Sequence, residues 1–75
     1  MRRSNNNLGQ LIRERRRESG LTQEASAERI VVSQNYIAKI ETGLSSVGAT
    51  TLTKLAKTLD IPTEVLIEYH LPFYS

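Results

Sequence analysis

The stretch LTQEASAERIVVSQNYIAKIETG, residues 21–43, constrains this chain more than any other. It reads as two helices of about eight residues joined by a turn of about three. Thr22 can cap the first helix, its hydroxyl meeting a free amide of the opening turn. Ala25, Ala27 and Ile30 give that helix a row of small contacts. Ser33 can cap the second helix, whose inner row is Ile37 and Ile40, and Gly43 can end it with a left-handed residue. Two such short helices with so short a joint cannot lie antiparallel with good contact. They cross steeply, and the first turn of the second helix is left projecting from the domain.

The flanks add three more helices. Leu8, Leu11 and Ile12 recur at helical spacing and predict a helix from about Leu8 to Ser19, stopped at Gly20. Residues 1–7, MRRSNNN, lack periodicity and read as a flexible basic arm. LSSVGATT, residues 44–51, is a loop of small polar residues. Leu52, Leu55, Ala56 and Leu59 form a fourth apolar stripe, broken at DIPTE because Pro62 lacks an amide proton and restricts Ile61. Val65, Leu66 and Tyr69 place a short fifth helix on the core, and residues 71–75 are a tail. No stretch alternates as a strand does. The fold class expected is all-α, a compact five-helix domain over residues 8–70.

At 75 residues, with no cysteine, the chain makes one modest core and can build neither a disulfide nor a thiolate metal site. No apolar run approaches the roughly 20 residues that cross a bilayer, and the start has no apolar leader segment, so a cytoplasmic location is expected. Net charge is only +2, but it is unevenly placed. The first 17 residues hold six arginines against Glu14, and the remainder holds four basic residues against seven acids. A basic end suggests a polyanionic partner, though a solvated helix face has the same composition.

The projecting turn carries Ser33, Gln34, Asn35 and Tyr36, with Lys39 continuing the same face. A helix fits the major groove of B-DNA with its N-terminal residues at the base edges. Gln or Asn pairs bidentately with adenine, and Lys donates to guanine. Ser33, Gln34, Asn35 and Lys39 are therefore the candidate base readers. Tyr36 can stack on a thymine methyl, donate to a phosphate, or pack against the turn, and spacing does not choose among them. Thr22 and Gln23 sit where free amides and the helix dipole favour a phosphate, and where plain capping serves equally. Arg16 lies on the inward row of the first helix and Glu41 on that of the third. A partly buried ion pair is one reading, and two side chains reaching out to water is the other.

These residues resemble a known family. LGQLIRERRRESGLTQEASAERIVVSQNYIAKIETG followed by LTKLAKTLDIPTEVL is similar to the Xre/Cro-type helix-turn-helix family, which includes the lambda-type phage repressors. The similarity runs from about Leu8 to Tyr69 and is most specific in GLTQE, IAKIETG and LAKTLDI. It implies a domain that binds double-stranded DNA, usually as a dimer on a palindrome. It implies that Gln23 holds a backbone phosphate and braces the reading helix, that Ser33, Gln34, Asn35 and Lys39 face bases or nearby phosphates, and that Arg16 and Glu41 form the family's buried pair. It also implies phosphate contacts from the segment Thr42 to Thr50. Thr42, Ser46 and Thr50, with Tyr36, complete the candidate phosphate set.

Three positions depart from the family pattern. Val31 stands where the turn usually has glycine, and a β-branched residue is costly there if φ is positive. Ser26 replaces a large apolar residue, which thins the core. No Lys or Arg lies between Thr42 and Ala49, so phosphate contacts from this loop must use amides and hydroxyls.

The function expected is a sequence-specific transcriptional regulator, a repressor acting by occupying an operator as a homodimer. Val65, Tyr69, Leu71 and Phe73 are the candidate dimer contacts. Arg2 and Arg3 can enter a minor groove or stay solvated. A protein-interaction module on the same fold, an antitoxin or anti-repressor partner, is the alternative. No enzyme activity, cofactor, metal or small-molecule ligand is expected: His70 stands alone, and no glycine-rich phosphate loop is present.

Overall fold

The helices are bounded by local chemistry that recurs along the chain. The computed structural model describes residues 4–67, with helices α1 (Ser4–Glu18), α2 (Gln23–Ile30), α3 (Gln34–Thr42), α4 (Ala49–Leu59) and α5 (Thr63–Ile67). Thr22 caps α2 and Ser33 caps α3, each hydroxyl accepting from the amide three residues on. Four helix ends close on a left-handed residue: Gly20, Val31, Gly43 and Asp60. At the first three, two amides turn back to the last carbonyls of the helix. Gly43 N–H meets Ile40 O, and Leu44 N–H meets Lys39 O at 2.8 Å.

Val31 is the exception among these residues. Its φ is 61°, so the turn keeps the backbone that glycine usually supplies and imposes it on a β-branched residue. Val31 N–H and Val32 N–H still bond Glu28 O and Ala27 O, which retains the closure. Asp60 meets the same demand with a side chain that tolerates this region better.

α1 begins at Ser4, four residues before the start expected from the apolar stripe. Nucleating a helix is costly but extending one is not, so a stripe that starts at Leu8 does not mark the first helical residue. Residues 4–7 belong to α1 rather than to an arm. Arg2 and Arg3 lie outside the described residues, as do Tyr69, His70, Leu71 and Phe73.

Leu8 and Ile12 from α1, Ile30 from α2, Ile37 and Ile40 from α3, and Leu52, Leu55 and Leu59 from α4 bury together in one core. α3 packs on α1 and α2, and α4 also contacts both. Ile61 and Leu66 close the core from the α5 side. Ser26 is fully buried where an apolar residue was expected to be missing. Its hydroxyl donates to the Thr22 and Gln23 carbonyls at 3.1 Å, so the polar atom is satisfied within its own helix. Among the described residues there is no strand, and no described helix is long and apolar enough to cross a membrane.

Candidate nucleic-acid interface

α3 is divided lengthwise by burial. Ile37, Ile40 and Glu41 face the core, while Ser33, Gln34, Asn35 and Lys39 are exposed. The inner row fixes the rod, and the opposite row is free to meet something else. Ser33 also spends its hydroxyl as the cap, accepting from Tyr36 N–H at 3.1 Å, which leaves Gln34, Asn35 and Lys39 with uncommitted side-chain ends among the described residues.

The base of this rod is held by charge. Arg16 Nε donates to Glu41 Oε2 at 2.6 Å, and Arg16 Nη2 donates to Glu41 Oε1 at 3.1 Å. The planar guanidinium fork matches the carboxylate, the strong geometry for such a pair. Arg16 Nη1 donates to the Leu21 carbonyl at 2.8 Å, tying the α1–α2 turn to the same cluster. The two side chains are only 10% and 2% exposed, so their partners replace nearly all of their water. The structure thus brings together α1 and the last turn of α3 through two residues 25 apart in sequence.

Gln23 joins this cluster. Its Nε2 donates to Glu41 Oε1 at 3.1 Å, linking the first residue of α2 to α3. Glu41 therefore takes hydrogen bonds from both elements that cradle α3. Gln23 is half-buried, and its neighbour Thr22 is exposed.

The remaining candidates lie around α3. Thr42 is exposed and its hydroxyl donates back to the Ala38 and Lys39 carbonyls. Ser46 and Thr50 are exposed on the loop and on the first turn of α4. Tyr36 is half-buried against the core, and its hydroxyl donates to the Ser46 carbonyl at 3.4 Å. Val65 is half-buried on the core. Among the described residues two large apolar side chains are exposed, Val31 and Leu44, one beyond each end of α3.

One residue and one contact that matter here escaped sequence reasoning. Gly9 lies where α1 crosses the last turn of α3; a glycine within an otherwise helical stripe was the available signal. The Tyr36–Ser46 contact had none, because the loop's path is set by packing.

With this geometry in hand, the family assignment follows from comparison. The family described as helix-turn-helix matches residues 12–66, most of the chain. This chain is a helix-turn-helix protein of the Xre/Cro type. The restriction-modification controller protein C.AhdI from Aeromonas hydrophila is 34% identical, over 77% of this helix-turn-helix chain and 84% of that one, with a TM-score of 0.72. The clp gene regulator ClgR from Corynebacterium glutamicum is 28% identical in two structures. One covers 92% of this chain and 74% of that one with a TM-score of 0.81, and the other covers 93% and 92% with 0.79. Curated proteins give no match. The helix-turn-helix of this chain is α2, the turn 31–33 and α3, and its fold is that of DNA-binding transcription regulators.

Proposed function

We propose that this protein is a sequence-specific transcriptional repressor that binds a palindromic operator as a homodimer. One observation carries the reading: Gln34, Asn35 and Lys39 share an exposed face of α3 whose other face is locked into the core and braced through Glu41. Polar side chains on a rigid helix suit the major groove, where Gln and Asn read adenine and Lys reads guanine. Ser33 stands at the same tip. Thr22, Gln23, Thr42, Ser46 and Thr50 surround it with amide and hydroxyl groups for the phosphate backbone. The likeness to a gene regulator and to a controller protein supports regulation as the role.

Size favours the dimer in this reading. Half-sites one helical turn apart place two reading helices about 34–36 Å from each other. The protein measures 29 Å along its longest axis and has one reading helix, so one copy serves one half-site. The α5 end, with Val65, is the surface we assign to the second copy; Tyr69, Leu71 and Phe73, the other expected dimer contacts, lie outside the described residues. Repression is the mode we assign, since occupancy of an operator is enough to exclude polymerase from it.

Selection of binding sites from random duplex DNA tests the reading. Recovery of a palindrome with half-sites about one turn apart, bound with an affinity that falls steeply as salt rises, supports it. Association that is indifferent to salt and to duplex DNA points instead to a protein-interaction module.

A further inference from the structure

The α3–α4 loop has a problem of reach. Residues 42–49 include no Lys or Arg. A lysine finds a phosphate from many positions because its stem is long and flexible. A backbone amide bonds only over about 2.7–3.2 Å and weakens as its angle closes. A loop of this composition meets a DNA backbone only if it is held in a set orientation before contact.

Tyr36 is placed to hold it. The residue sits in the first turn of α3, its amide fixed by the Ser33 hydroxyl and its ring packed on the core. From there the phenol reaches ten residues ahead to the Ser46 carbonyl, 3.4 Å away, a long and weak hydrogen bond at an exposed site. Every described peptide is trans. In a trans peptide the carbonyl and the following N–H point in opposite directions. Turning the Ser46 carbonyl toward Tyr36 therefore turns the Val47 N–H away from it. Among the described residues no acceptor is bonded to that amide. Val47 itself packs against the core, so the peptide is anchored from both sides.

The phenol carries a single proton. While that proton is given to Ser46, it is not available to a phosphate. Direct phosphate binding by Tyr36 and restraint of the loop thus compete for one proton.

We propose that Tyr36 is a positioning residue: its hydroxyl holds the Ser46–Val47 peptide so that the Val47 amide is presented to a DNA phosphate. This rests on the DNA-binding reading above. It makes the reading helix and the neighbouring backbone clamp one rigid unit, joined through a residue of the helix itself.

Tyr36→Phe in the full chain removes the hydroxyl and keeps the ring. In the free protein, ¹⁵N order parameters at Ser46, Val47 and Gly48 should fall from about 0.85 toward about 0.6, while the thermal midpoint stays put. Affinity for random-sequence duplex DNA should fall about 3–10-fold with an unchanged salt slope, since no charge is lost. Unchanged order parameters overturn the proposal, even with weakened binding, because a direct phosphate contact would then explain the loss. A loosened loop with full affinity overturns it as well. If wild type itself ignores duplex DNA, the DNA-binding reading fails, and the order parameters still report whether Tyr36 restrains the loop.

Discussion

A Cβ added to Gly9 would stand 2.6 Å from the Glu41 carbonyl oxygen, and equally close to that of Ile40. α1 and α3 therefore approach so closely that only a residue without a side chain fits at their crossing. The approach brings Arg16, two turns further along α1, within reach of the Glu41 carboxylate.

Gly9→Ala follows directly. Alanine favours a helix by about 1 kcal/mol over glycine, so on an exposed face this change would stabilise α1. Here the opposing atoms are backbone oxygens, which cannot rotate aside, and overpacking of this kind costs about 1–3 kcal/mol. We expect a net loss, seen as a thermal midpoint lowered by about 4–8 °C per kcal/mol in circular dichroism. A raised midpoint would show that the two helices separate at little cost.

Arg16→Ala leaves the Glu41 carboxylate buried with Gln23 as its one remaining side-chain partner, and also frees the Leu21 carbonyl. Removing one member of a buried pair costs about 3–5 kcal/mol, a large share of the stability of a small domain. Urea titration should find the variant unfolded or nearly so without denaturant. A midpoint close to wild type would mean that the pair is not buried in solution.

Val31→Gly should stabilise the protein. Val31 is 85% exposed, so truncation forfeits little packing. Left-handed backbone costs a non-glycine residue roughly 1–2 kcal/mol, partly offset by the entropy glycine loses on folding. A gain of about 1 kcal/mol, or about 4–8 °C in midpoint, is expected from a thermal scan. No gain would place a compensating contact at that side chain.

Gln34→Ala addresses the reading helix. Loss of a bidentate base contact removes about 1–3 kcal/mol of discrimination. The variant should lose about 5–150-fold of its preference for a selected site over random duplex, at an unaltered salt slope, because the residue is uncharged. Competition binding with both duplexes makes the measurement, and undiminished preference for the selected site would remove Gln34 from base reading.

Much of this architecture can be read from side-chain order alone. Thr22 and Ser33 mark helix starts because their hydroxyls answer amides three residues away, a local demand. Gly20 and Gly43 mark ends for the same kind of reason. Leu52, Leu55 and Leu59 declare α4 by period. Arg16 and Glu41 stand on inward rows of their helices, so a meeting between them was open to inference, although the two-pronged guanidinium–carboxylate geometry was not.

What sequence alone determined is therefore the number of helices, the caps at Thr22 and Ser33, the stops at Gly20 and Gly43 and the apolar rows, since these depend on neighbours within one or two turns. Tertiary structure decided the rest: that α1 touches α3 at Gly9, that Gln23 and Arg16 share one carboxylate, and that the Tyr36 hydroxyl reaches the Ser46 carbonyl. Each of these joins residues through space, where distance is set by how the whole core packs, and no local pattern encodes that distance.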